Sequence, residues 1–197
     1  MKSLRQVWTA LRALLILTVV LGIVYPAVVL LIGQTAFAAN ANGQLVQVDG
    51  ETVGSAIIGQ SFADADGNAL PEWFQSRPSA AGAGYDGAAS SGSNYGPENE
   101  DLIAAIEARQ EAIAESDGVA VDDIPADAVT ASASGLDPHI SPEYALQQVP
   151  RVAAARGLDE SQVRELVESL IQGRDLGYLG DPTVNVLQLN IALAKLG

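Results

Sequence analysis

From Ala13 to Gly33 the chain runs 21 residues without a charge, ALLILTVVLGIVYPAVVLLIG. As an α-helix rising about 1.5 Å per residue this stretch is about 31 Å long. A bilayer's hydrocarbon core is roughly 30 Å thick. The chain is therefore expected to carry one membrane helix. Pro26 is tolerated there, with a kink, because neighbouring groups in a membrane helix can re-satisfy the freed backbone. Trp8 suits the headgroup level.

The flanks set an orientation. Lys2, Arg5 and Arg12 precede the span and the next basic residue is Arg77. Basic residues favour the cytoplasmic side, so the N-terminus is expected inside and the remainder outside. A cleaved signal peptide is the competing reading, since Ala36-Phe37-Ala38 has the small-x-small pattern of a cleavage site. The apolar run exceeds the roughly 7–15 residues usual for such a peptide, which favours an uncleaved anchor. Either way the large part is exported. The expected division is residues 1–12 cytoplasmic, 13–33 membrane helix, 34–52 tether or first strand, and 53–197 an extracytoplasmic domain.

About 160 residues follow the span, enough for one domain with a real core. They hold seven basic and 24 acidic residues, a net charge of −17. Such a domain repels nucleic acid and anionic headgroups. The charge reads as solubility, with attraction of cations as the functional alternative. Aromatic residues are 5% of the chain, so an aliphatic core is expected. With no cysteine, disulfides, thiolate metal sites and thiol nucleophiles are excluded. His139 is the single histidine, which excludes a multi-histidine metal site.

Fold class reads as α+β: short strands first, helices later. Leu45–Val48 alternates and suits a strand or tether, and Ser55–Ile58 is a second strand candidate ended by Gly59. Residues 76–97 are rich in Gly, Ser and Ala and predict a long loop, a feature more often functional than accidental. Ser90–Asn94 has a phosphate-cradle composition without the GxxxxGK[ST] that gives it meaning, so an ordered partner-facing loop or plain linker is favoured.

A helix is expected over Glu98–Glu115, with Pro97 in its first turn, a stripe of Leu102, Ile103, Ile106 and Ile113, and a stop at Ser116-Asp117-Gly118. Val129–Ser134 reads as extended. Ser141 is a candidate N-cap for a helix over Pro142–Arg156 that Pro150 should bend or break, with Gly157 as C-cap. Asp159 and Gln162 open another helix that Gly173 closes, and Asn185 with Gln188 opens a last apolar one expected in the core.

Walker-type P-loop, GxSxG, HExxH and CxxC patterns are all missing. Asp137, His139 and Ser141 invite a triad reading, but side chains at i, i+2, i+4 in a proline-flanked turn rarely place an imidazole between acid and nucleophile. The favoured reading has Asp137 and His139 bonding loop backbone while Ser141 caps a helix. Arg77 is expected to pin the loop by pairing with carboxylates or carbonyls, with partner binding as the alternative.

Seven blocks then align in order with one family. They are the basic N-terminus with a helix holding Tyr25-Pro26, Gly54–Phe62 (GSAIIGQSF), Phe74–Ala80 (FQSRPSA), Ser91–Pro97 (SGSNYGP), Val129–Pro142 (VTASASGLDPHISP), Arg151–Leu158 (RVAAARGL) and Val184–Asn190 (VNVLQLN). Over essentially its whole length the chain resembles the C subunits of Kdp-type potassium-transporting ATPases. It departs at Ala81–Ala83 and at Ala133, where glycine is expected.

The resemblance implies an accessory role in ATP-driven, high-affinity potassium uptake. It also implies three partners: a channel-like potassium-binding subunit, a P-type ATPase subunit and a very small membrane subunit. Assembly and stability of the complex are the implied tasks, with an effect on ATP affinity or turnover also suggested for the family. The phosphorylation sequence Asp-Lys-Thr-Gly-Thr is missing, so the chain is not expected to be the phosphorylated subunit. The resemblance implies no catalytic residue, metal or cofactor in this chain. ATP and potassium belong to the complex. The family blocks nominate Arg77, Pro78, Ser79, Gly92, Ser93, Asn94, Asp137, Pro138, His139, Ser141 and Asn185 for loop structure or partner contact. Two other classes stay open: an anchored binding module acting without an ATPase, and an exported hydrolase using Ser141 and His139.

Overall fold

The computed structural model describes residues 2–196, in two compact units, one ending at Leu45 and one beginning at Val46. In the first, α1 (Lys2–Val19) passes through a π-turn at Val20–Val24 into α2 (Tyr25–Ala36). Pro26 explains the π-turn. Its missing N–H and bulky ring cannot be placed over an ordinary α-turn, and widening the preceding turn removes the clash. The Tyr25 N–H reaches back to the Val20 carbonyl. Ser3–Ala36 is the one helix among the described residues long and apolar enough to cross a membrane, and none of its most apolar stretch is buried within the protein. Phe37, at φ −135° and ψ 41°, ends it, and one further turn, α3 (Ala38–Ala41), follows.

The second unit is the α+β body. β1 (Leu45–Val48) and β2 (Glu51–Ser55) form a two-stranded hairpin. Asp49 and Gly50 turn it with φ of 52° and 84°. An Asp-Gly pair between two short strands is a strong hairpin signal, because both central residues must take positive φ. The expected second strand over Ser55–Ile58 is displaced. β2 ends at Ser55, whose Oγ accepts the Ile57 N–H, and the chain turns so that Ile57 and Ile58 are exposed.

No helix or named strand occurs between Ala56 and Asn99. Then α4 spans Glu100–Asp117, two residues later than expected at each end. Asn99, and not Pro97, starts it: its side chain accepts the Asp101 and Leu102 amides. Gly118, at φ 69°, closes it. Ile103, expected in the apolar stripe, lies 45% exposed. The expected extended run at Val129 begins one residue late, because α5 (Ala126–Val129) takes the first position and Thr130 is extended.

β3 (His139–Ile140) pairs antiparallel with β4 (Val184–Asn185), His139 opposite Asn185. The helix expected over Pro142–Arg156 is two: α6 (Pro142–Gln147) and α7 (Val149–Arg156), broken where Pro150 cannot donate. Gly157 caps α7 at φ 64°. α8 (Glu160–Ser169) stops before Gly173, because Gln172 leaves to pair with Thr183. α9 (Val186–Leu193) is buried as expected through Val186, Leu187, Leu189 and Leu193. The core is mostly aliphatic, with Val149, Val152, Val163, Val167, Val184 and Leu189 at full burial around Phe74 and Tyr144.

Candidate functional site

Four of the family blocks, Gly54–Phe62, Phe74–Ala80, Ser91–Pro97 and Val184–Asn190, converge on residues 130–141. Most of these contacts fall on main-chain carbonyls of that segment. The Gly59 N–H donates to Leu136 O at 2.8 Å. Ser79 Oγ donates to Gly135 O at 2.6 Å and accepts the Ala81 and Tyr85 amides, so one hydroxyl shapes its own turn and docks it. The Ser91 N–H and Ser90 Oγ both donate to Ser134 O, at 3.0 and 2.9 Å. Val186 N–H closes the ring on Pro138 O at 3.0 Å.

Two glycines are demanded by this packing. A Cβ on Gly59 would lie 2.6 Å from Asp137 O, and one on Gly92 would lie 2.9 Å from Ala133 O. Gly135 adds a left-handed backbone at φ 65°. Asn94 donates to Gly92 O at 3.0 Å from its own positive-φ position, and Ser93 between them is exposed. Ser90–Asn94 thus spends its polar groups on the 133–135 segment and on itself.

Arg77 and Asp137 form the charged centre. Arg77 Nη1 lies 3.1 Å from Asp137 Oδ2, with both side chains mostly shielded, and Nη2 donates to Thr130 O. Arg77 Nε is buried without a partner among the described residues. Its neighbour Pro78 opens the turn that Ser79 holds. Asp137 Oδ1 accepts the His139 N–H at 3.0 Å, and His139 Nδ1 stands 3.4 Å away. Burial pushes the Asp137 carboxyl upward. The His139 side chain and amide together with Arg77 outweigh that and hold it below its ordinary 3.8.

Ser141 turns away from this centre. Its Oγ accepts the Tyr144 N–H at 3.1 Å, capping α6, and donates to Asp127 Oδ1 at 2.9 Å. A hydroxyl so committed is a structural clamp. Asn185 caps α9 through the Gln188 N–H while its amide donates to Ala56 O at 2.8 Å, which ties the exposed Ile57 turn to the sheet.

Sequence reasoning missed three polar contributors. Asp127 sits in a short helix with no motif of its own. Arg151 bonds Asp117 at 2.6 Å, the Pro71 and Trp73 carbonyls, and Gln148. Asn190 is buried against Phe74. A signal for the last was available, since Asn190 follows Val186 by four and Leu187 by three, on the buried face of α9.

Beside the hub lies a cleft of about 690 Å³ whose wall includes Asp122, Asp123, Asp127, Asp137, Glu143 and Asp181. Among the described residues no three acidic or histidine side chains converge as metal ligands. Together these features make an ordered, charged surface built from loops, in which most of the polar groups pair with one another.

Comparison with known proteins agrees with this pattern. The family model "K+-transporting ATPase, c chain" (KdpC) matches residues 7–195. The potassium-transporting ATPase KdpC subunit of Kineococcus radiotolerans is 55% identical over 190 residues, covering 96% of this chain and 93% of that one. That of Caulobacter vibrioides is 54% identical over 186 residues, covering 93% and 90%. That of Mycobacterium tuberculosis is 50% identical over 193 residues, covering 98% and 99%. The chain belongs to the KdpC family, the c chain of K+-transporting ATPases.

Proposed function

We propose that this chain is the non-catalytic accessory subunit of an ATP-driven, high-affinity potassium-uptake complex, and that it aids the assembly and stability of that complex. The observation carrying this reading is the family match across residues 7–195. The apolar helix Ser3–Ala36 supports a membrane anchor. Lys2, Arg5 and Arg12 before it support a cytoplasmic N-terminus and an extracytoplasmic domain. Its partners are then the channel-like potassium-binding subunit, the P-type ATPase subunit and the small membrane subunit. ATP and potassium are handled by those subunits, with no cofactor in this chain. Any influence on ATP affinity crosses the membrane as conformational coupling. The net charge of −17 beyond the span would raise the local cation concentration at the potassium entrance.

The test is deletion and restoration of the gene in its host. Growth at micromolar potassium and potassium-stimulated ATP hydrolysis should both be lost and both return. If neither changes, the accessory-subunit reading fails and an anchored module acting without an ATPase takes its place. The steering idea fails separately if neutralising surface carboxylates leaves potassium affinity unchanged at low ionic strength.

A further inference from the structure

We propose that the hairpin between α8 and β4 is an apolar docking finger that inserts into a pocket on another polypeptide of the same ATPase. This rests on the reading of the chain as a subunit of that complex. Residues 172–182 are exposed throughout, yet the segment is well formed. Gln172 and Thr183 exchange both main-chain hydrogen bonds, at 2.8 and 3.0 Å, and Asp175 and Leu179 exchange both at 2.9 Å. Arg174 Nη2 reaches Asp181 Oδ1 at 2.8 Å across the base. The tip then presents Leu176 at 81%, Tyr178 at 68% and Leu179 at 49% exposure.

Single exposed apolar residues are ordinary, but three within four residues on one ordered tip are not. Leu176 also holds φ 53°, beside Gly177 at 83°. Glycine, asparagine or aspartate usually takes that first position, and a bulky leucine there is unfavourable. None of these three side chains is buried in this chain's own core, so local folding does not account for them.

Charge selects the occupant. Arg174, the finger's one basic residue, is already paired, and Asp181 on the ascending arm lines the acidic cleft with Asp122, Asp123, Asp127 and Glu143. Anionic lipid headgroups are repelled by such a surface, and so is a second copy with the same carboxylates. A different polypeptide offering an apolar pocket with a basic or neutral rim satisfies both requirements. Tyrosine, the residue at 178, is among the types enriched at interface hot spots, and the flanking leucines supply apolar area around it.

The test uses membranes from a host making the whole complex. A photoreactive benzophenone amino acid replacing Leu176 should crosslink to another ATPase subunit, while the same group replacing Glu115 on α4 should not. A crosslink to lipid alone, to a second copy or to nothing overturns the finger. In mild detergent, Leu176→Asp combined with Tyr178→Ser should lower the recovery of copurifying ATPase subunits on the order of tenfold. Membrane level and melting temperature of the chain should stay unchanged, because both side chains are exposed. Undiminished recovery overturns the finger while the subunit reading stands. If the wild-type chain itself recovers no ATPase subunit, both fall.

Discussion

Asn190 pairs both of its side-chain amide atoms with the main chain of Phe74, 116 residues earlier: the Phe74 N–H donates to Oδ1, and Nδ2 donates to the Phe74 carbonyl, each at 3.0 Å. Phe74 is fully buried and Asn190 is 2% exposed. One amide therefore does the work that a strand partner would do for a loop residue in the core. Asn190→Leu strands two buried polar groups and should cost about 2–4 kcal/mol of stability. Denaturant midpoints of the full chain in detergent measure this. A loss below about 0.5 kcal/mol, the level of an ordinary surface change, would count against the amide's structural role.

Arg151 and Asp117 make the second long-range clamp. Their side chains are 9% and 3% exposed. Asp117→Ala leaves the guanidinium buried and uncompensated, at a cost of about 3–5 kcal/mol. Arg151→Lys should also destabilise, because a point ammonium cannot reproduce the fork that serves Asp117, Gln148 and two carbonyls at once. Thermal melts of both variants check the pair.

Acid should loosen the hub. The Asp137 carboxyl titrates below its ordinary 3.8 in the folded protein. A depressed carboxylate adds stability above the unfolded value and loses it as pH falls through the folded one. The Asp137 contribution is therefore complete near neutrality and fades below about pH 4. Asp137→Asn should flatten that part of the stability curve against pH, and an unchanged acid limb would show that other carboxylates govern it.

Gly135→Ala should undo the docking of two loops together. The added Cβ would meet Ser91 O at 2.6 Å and Ala81 N at 2.7 Å, in a backbone at φ 65°. Faster proteolysis within residues 76–97 is the expected readout, and protection equal to wild type would contradict it.

Absence of cysteine makes topology directly measurable. Ser93 is exposed in the second unit, and Ser3 lies at the start of α1. On intact cells, Ser93→Cys should react with a membrane-impermeant maleimide and Ser3→Cys should react only after lysis. The reverse pattern would invert the proposed orientation.

Much of the local structure was legible because its causes are local. The uncharged stretch from Ala13 to Gly33, the Gly118 and Gly157 stops, the Ser141, Asp159 and Asn185 caps and the break at Pro150 each follow from backbone chemistry within a few residues. The Asp49-Gly50 hairpin has an equally local cause, although in sequence this stretch reads as a tether or first strand. Where local signals competed, position shifted: Asn99 outbid Pro97 as the start of α4 because its side chain satisfies two orphan amides.

What only the tertiary structure decided is which distant groups meet. Nothing near Arg77 in sequence marks Asp137 as its partner, nothing near Asp127 marks Ser141, and the His139–Asn185 register joins segments separated by three helices. Loops from Ala56 to Asn99 have no periodic pattern to read, because their order comes from single hydrogen bonds to distant residues, among them 130–141, Gln148, Arg151 and Asn190, and not from a repeating ladder. Sequence alone determined the membrane helix, the caps and the family, since these rest on neighbouring residues or on whole-chain similarity. The hub and the exposed finger required the fold, because desolvation and pairing are properties of three-dimensional neighbours.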